Sequence, residues 1–76
     1  MFFNRQKKYL TVTLHDPSRS KTGFTNNNRL PVTIESGETV GDALAQFNKF
    51  RSPENQVDTT TNKSTRVTTN MEIVIS

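Results

Sequence analysis

The run TIESGETVGDALAQF, residues 33–47, changes its hydrophobic period midway. Ile34 closes a stretch in which Leu30, Val32 and Ile34 alternate with Thr33 and Glu35, the period of a strand with one face buried. Beyond Gly37, the residues Val40, Ala43, Leu44, Phe47 and Phe50 fall at i, i+3, i+4, i+7 and i+10, which is the stripe of an amphipathic helix. Thr39 can cap that helix with its hydroxyl while Asp42 reaches back, and Glu38 and Asp42 place negative charge at its positive end. Lys49 and Arg51 fall in the expected last turn, and Ser52-Pro53 stops the helix, predicted over about residues 39–51. Gly41 costs about 1 kcal/mol relative to Ala in a helix interior, less in the first turn, and permits a close approach to a strand. One segment therefore supplies first a sheet face and then the helix that covers it.

Working outward, KYLTVTLHD carries Leu10, Val12 and Leu14 in alternation with Thr11 and Thr13, predicting a strand over about 8–15. The following DPSRSKTGFTNNNR is rich in turn formers, so a long loop over about 16–29 is expected, of a length often used for function. Pro31 cannot donate a ladder hydrogen bond, which places the strand at 30–35 on a sheet edge. The two strands form the simplest connection, an antiparallel hairpin. Val57 and Val67 are the only large apolar residues between Phe50 and Met71, and short strands are expected near 56–60 and 65–67, as a weak hairpin turning at Asn62-Lys63 or else a polar loop. In MEIVIS, Met71, Ile73 and Ile75 alternate with Glu72 and Val74, predicting a closing strand.

The chain has 76 residues, room for a single small domain over 1–76 that buries only about 60% of its unfolded surface. Apolar residues make up 30%, while 12 Thr and 8 Asn favour strands and turns. Without cysteine there is no disulfide framework, no thiolate nucleophile and no thiolate zinc cluster. The N-terminus begins apolar and then turns basic, the reverse of a secretory signal, and no run approaches the roughly 18 apolar residues of a membrane span. A soluble cytoplasmic protein is expected, or one within a virus particle or infected host cell, as suits a short, Asn/Thr-rich viral or mobile-element product. The net charge of +3 is uneven, because residues 1–30 hold six basic side chains against Asp16 alone.

The order strand, loop, strand, capped helix, short strands and closing strand is that of the β-grasp. TIESGETVGDAL followed by the terminal NMEIVI resembles ubiquitin-like domains, especially the small sulfur carriers, whose second strand ends just before a "TV..L" helix. The resemblance spans about two thirds of the chain. It implies an α+β fold, with a mixed sheet of four to five strands packed on one helix. Carriers of that family end in Gly-Gly, whereas this chain ends Ile73-Val74-Ile75-Ser76, so the resemblance implies a scaffold for binding a partner rather than carrier chemistry.

Candidate chemistry is sparse. His15 could pair with Asp16 as a general base, but neighbouring strand residues point to opposite faces, and an exposed strand-end histidine is the simpler reading. Glu35, Glu38 and Asp42 cluster at the helix start, where capping explains them without a metal. No phosphate-binding glycine fingerprint occurs. Neither catalytic residue, cofactor, metal nor small-molecule substrate is expected. The expected function is a non-enzymatic binding or assembly module, acting through protein contacts or self-association at sheet edges. The alternative is a small basic protein that binds single-stranded DNA or RNA, because cations neutralise phosphates and aromatic faces stack on bases. That binding would use the N-terminal segment and the 16–29 loop, and the candidate binding residues are Arg5, Lys7, Lys8, Tyr9, Arg19, Lys21, Phe24 and Arg29.

Overall fold

The computed structural model describes residues 8–18, 22–23 and 28–76. Strand β1 spans Tyr9–His15 and strand β2 spans Arg29–Glu35; they pair antiparallel with Leu10 opposite Ile34 and Leu14 opposite Leu30. Helix α1 runs Val40–Asn48, a 3-10 turn follows at Pro53–Asn55, and strand β3 is Met71–Val74. β3 joins the other side of β1 in parallel, with Val12 opposite Met71 and Leu14 opposite Ile73, so the sheet order is β2-β1-β3. This is an α+β architecture, with a three-stranded mixed sheet and one helix among the described residues.

The alternation in each strand sets the two faces. Val12, Leu14, Val32, Ile34 and Ile73 turn inward and meet Val40, Ala43 and Leu44 of α1, with Leu10, Phe47 and Met71 at the margin. Val57, Val67 and Ile75 complete the core, and Val67 is fully buried. In so apolar-poor a chain the two isolated valines cannot stay in water. β2 is an edge strand, as Pro31 implied. Pro31 and Thr13 form a pair that exchanges no ladder bonds, since the bonds at both ends of the hairpin, Ser36 N–H to Lys8 O and Asp16 N–H to Asn28 O, fall on the alternate pairs.

The start of α1 is built as the sequence predicts. Thr39 Oγ1 accepts from Asp42 N–H at 3.2 Å, and the Asp42 carboxylate accepts from Thr39 N–H at 2.9 Å, a complete capping box. These bonds from Thr39 hold the Asp42 carboxyl below its ordinary value. Gly37 makes the preceding turn at φ +94°, a conformation that side chains rarely adopt.

Two expectations about extent are corrected. The helix ends at Asn48 rather than near residue 51. Asn48 accepts from Val57 N–H and donates to Val57 O, both at 2.9 Å, and Arg51 N–H takes the Asn48 carbonyl three residues back, which closes the last turn tightly. Lys49 and Arg51 therefore lie beyond the helix, and Phe50 leaves the apolar stripe, 91% exposed.

The sheet, in turn, has three strands rather than four to five among the described residues. The expected strands near 56–60 and 65–67 contribute single bridges, Thr59 to Ile75 and Arg66 to Thr39. Their backbone is engaged elsewhere. A tight turn forms as Thr65 N–H bonds Asn62 O, and the Thr65 and Lys63 carbonyls accept from Val40 and Gly41 N–H, orphan donors of the helix start. Gly41 does permit a close approach, but to this turn rather than to a strand: an added Cβ would lie 3.2 Å from Lys63 O.

Candidate functional site

Of the eight candidate binding residues, Lys8, Tyr9 and Arg29 are described; Arg5, Lys7, Arg19, Lys21 and Phe24 lie outside the described residues. Lys8 is exposed just before β1. Tyr9 and Arg29 share the outer face of the sheet but stand at opposite ends of it, Tyr9 opposite Glu35 and Arg29 opposite His15. The structure therefore places two of them on one surface without bringing them into contact.

That surface is the side of the sheet turned away from α1. Tyr9, Thr11, Thr13 and His15 of β1 lie between Thr33 and Arg29 of β2 and Glu72 and Val74 of β3. Arg29 Nε donates to Glu72 Oε1 at 3.1 Å, so an ion pair reaches across β1 from one flanking strand to the other. Both partners are nearly half exposed, where such a pair adds well under about 1 kcal/mol and serves to fix the position of the two side chains. Tyr9 at 58% and Val74 at 50% are two of the three large apolar side chains most exposed in the described chain.

His15 is half-buried on this face rather than exposed, and its Nδ1 is buried with no hydrogen-bond partner among the described residues. Comparison with family models, curated proteins and solved structures finds no significant match. The site is therefore characterised by its own geometry.

The edges of the sheet differ from its face in being partly covered. On β2 the groups pointing away from β1 belong to residues 29, 31, 33 and 35. Pro31 has no N–H, Glu38 Oε1 accepts from Glu35 N–H at 2.8 Å, and Gln46 Nε2 donates to Thr33 O at 3.0 Å. Beside β3, Thr59 Oγ1 donates to Val74 O at 2.6 Å, and Asp58 and Ser76 exchange backbone bonds at 3.0 and 3.1 Å. Where β3 stops short of the start of β1, Asn70 Oδ1 accepts from Thr11 N–H at 2.9 Å. Polar side chains thus occupy the Glu35 N–H, the Thr33 carbonyl and the Val74 carbonyl, groups that an added strand would use.

A consequence can be measured. The variant combining Glu38→Ala, Gln46→Ala and Pro31→Thr uncovers the β2 edge and restores a donor, so it is expected to associate with rising concentration where the native chain does not. Sedimentation velocity reads this directly. Identical sedimentation of the two proteins across the concentration range would show that these side chains do not guard the edge.

The Asp42 carboxylate accepts from Thr39 N–H and the Glu38 carboxylate from Glu35 N–H, so capping and turn contacts account for both. Among the described residues, no group of three His, Asp or Glu side chains converges as a metal site. No described helix is long and apolar enough to cross a membrane. Asp16 was not singled out as a site by sequence, yet it is 1% exposed. Its carboxylate accepts from Ser18 N–H and Ser18 Oγ, each at 3.2 Å, and from Thr22 Oγ1 at 2.6 Å. A short acceptor at a strand end, followed by hydroxyls two and six residues later, is the only sequence signal that points to it.

Proposed function

We propose that this chain is a non-enzymatic module of β-grasp type that works by contact with another protein across the outer face of its sheet. The observation that carries the reading is the contrast between that face and the edges. One face is covered by α1, side chains occupy part of each backbone edge, and the outer face presents Tyr9 and Val74 with threonines between them.

Half-exposed aromatic and aliphatic groups held on a rigid sheet lose little conformational entropy on binding, which favours their use as contact anchors. Polar Thr11, Thr13 and Thr33 supply adaptable donors and acceptors around them. The β-grasp part of the reading is supported by the antiparallel β1-β2 hairpin, the parallel return of β3 beside β1 and the helix lying between β2 and β3 in sequence.

The test is positional. A photo-crosslinking amino acid at Tyr9 or Val74 is expected to yield a discrete protein adduct in the native host, while the same group at exposed Ala45 on α1 does not. Val74→Asp should weaken retention of the crosslinked protein roughly 30-fold, the loss of one anchor side chain. Equal adducts from Ala45, or retention unchanged by Val74→Asp, would move the contact off this face.

A further inference from the structure

We propose that Phe50, with Lys49 and Arg51, forms a stacking site for single-stranded nucleic acid just beyond the C-terminal end of α1. This goes beyond the protein contact proposed above and uses a separate part of the molecule. Phe50 is 91% exposed, although Phe47 one turn earlier packs against the core. A phenyl ring standing in water beside cations is a different object from an apolar patch.

Each ring here has a cation over it. Lys49 Nζ lies 5.4 Å from the Phe50 centroid, and the Arg51 guanidinium lies 4.9 Å from the Phe47 centroid. Arg51 is held further by its Nε, which donates to Asn55 O at 2.9 Å. Among the described residues no carboxylate lies within ion-pair distance of Lys49, and the ion pairs of Arg29 with Glu72 and of Lys63 with Asp58 are elsewhere. The site therefore favours an anionic ligand with a flat unsaturated group.

A single strand supplies both parts at once. Any base can stack on the exposed ring, and the flanking phosphates meet Lys49 and Arg51, with no dependence on base identity. A protein anchor, by contrast, works when apolar neighbours exclude water around it. Phe50 has Lys49, Ser52 and Glu54 near it in sequence, all exposed, and lacks that surround.

The probe is a labelled oligothymidylate about 15 nucleotides long, titrated with the full chain at about 50 mM salt and followed by fluorescence anisotropy. Phe50→Ala is expected to weaken binding on the order of 10-fold with the salt dependence unchanged, and Phe50→Trp to restore it. Lys49→Gln with Arg51→Gln should reduce the slope of log K against log salt by about 1.4. Val74→Asp, on the sheet face, should leave this binding as it is. Thermal melts guard the comparison, since Phe50 is too exposed for its loss to unfold the chain.

Absence of binding by the native chain, or equal binding by Phe50→Ala, would overturn the proposal. So would loss of oligonucleotide binding in Val74→Asp with an unchanged melt. Competition by polyglutamate that matches oligothymidylate and depends equally on Phe50 would assign the site to an acidic protein instead.

Discussion

Leu44→Asp is expected to abolish cooperative thermal unfolding. Leu44 is 4% exposed and belongs to the face of α1 that meets the sheet, beside Val40 and Ala43. The substitution removes apolar burial and places a carboxylate among the side chains of the hydrophobic core. An ionised group in such a position costs several kcal/mol even after relaxation, comparable with the whole of about 5 kcal/mol that a domain of this size commands. Leu44→Ala serves as the graded control: it should keep a cooperative transition at a lower temperature, with a loss of about 2–5 kcal/mol. Circular dichroism melts at matched concentration separate the outcomes. A native-like melt for Leu44→Asp would remove α1 from the core and undo the packing described above.

The helix and its cap were legible because their signals are local. Thr39 and Asp42 lie three residues apart, and the capping box needs nothing from elsewhere in the chain. The strands at 9–15, 29–35 and 71–74 were legible for a related reason, since alternation is a property of each segment. Where the reading extended a local period past a tertiary contact it went astray. Phe50 continues the stripe arithmetically, but Asn48 turns aside to bind Val57 and the helix is already finished. Val57 and Val67 show the converse, buried without any periodic neighbours because the core has few other side chains to use.

The polar composition has a structural account that no residue pattern announces. Asn48, Asn70, Gln46, Glu38 and Thr59 each bond a backbone group that a longer strand or helix would otherwise have satisfied. A short sheet is thereby finished by side chains rather than by more strands. This also explains why the extra strands expected near 56–60 and 65–67 reduce to single bridges. The candidate surface is legible only in part: Tyr9 and Arg29 stand out by aromatic and cationic character, while in sequence Val74 is one outward residue of an alternating strand, and its 50% exposure emerges only in the fold. Its position opposite His15 in a parallel pair depends on the return path of the chain, which alternation does not encode.

Asp16→Ala is expected to destabilise the protein by about 2–4 kcal/mol, an effect well above that of an ordinary loop substitution. The carboxylate is buried at the end of β1 and gathers the Ser18 N–H, the Ser18 hydroxyl and the Thr22 hydroxyl. Its backbone N–H also bonds Asn28 O at 2.8 Å, which puts the residue at the point where the connection leaves β1 and where it rejoins β2. Removing the side chain leaves those donors facing a space the size of a carboxylate, and the cost lies in their lost partner rather than in lost apolar area. Asp16→Asn keeps one acceptor oxygen and should fall between the two, because a single carbonyl cannot serve both Ser18 and Thr22 as the ionised pair of oxygens does. Urea unfolding at neutral pH measures all three proteins. Midpoints for Asp16→Ala and Asp16→Asn indistinguishable from the native chain would mean that the network is incidental, and that the start of the 16–29 connection is held by the backbone bond alone.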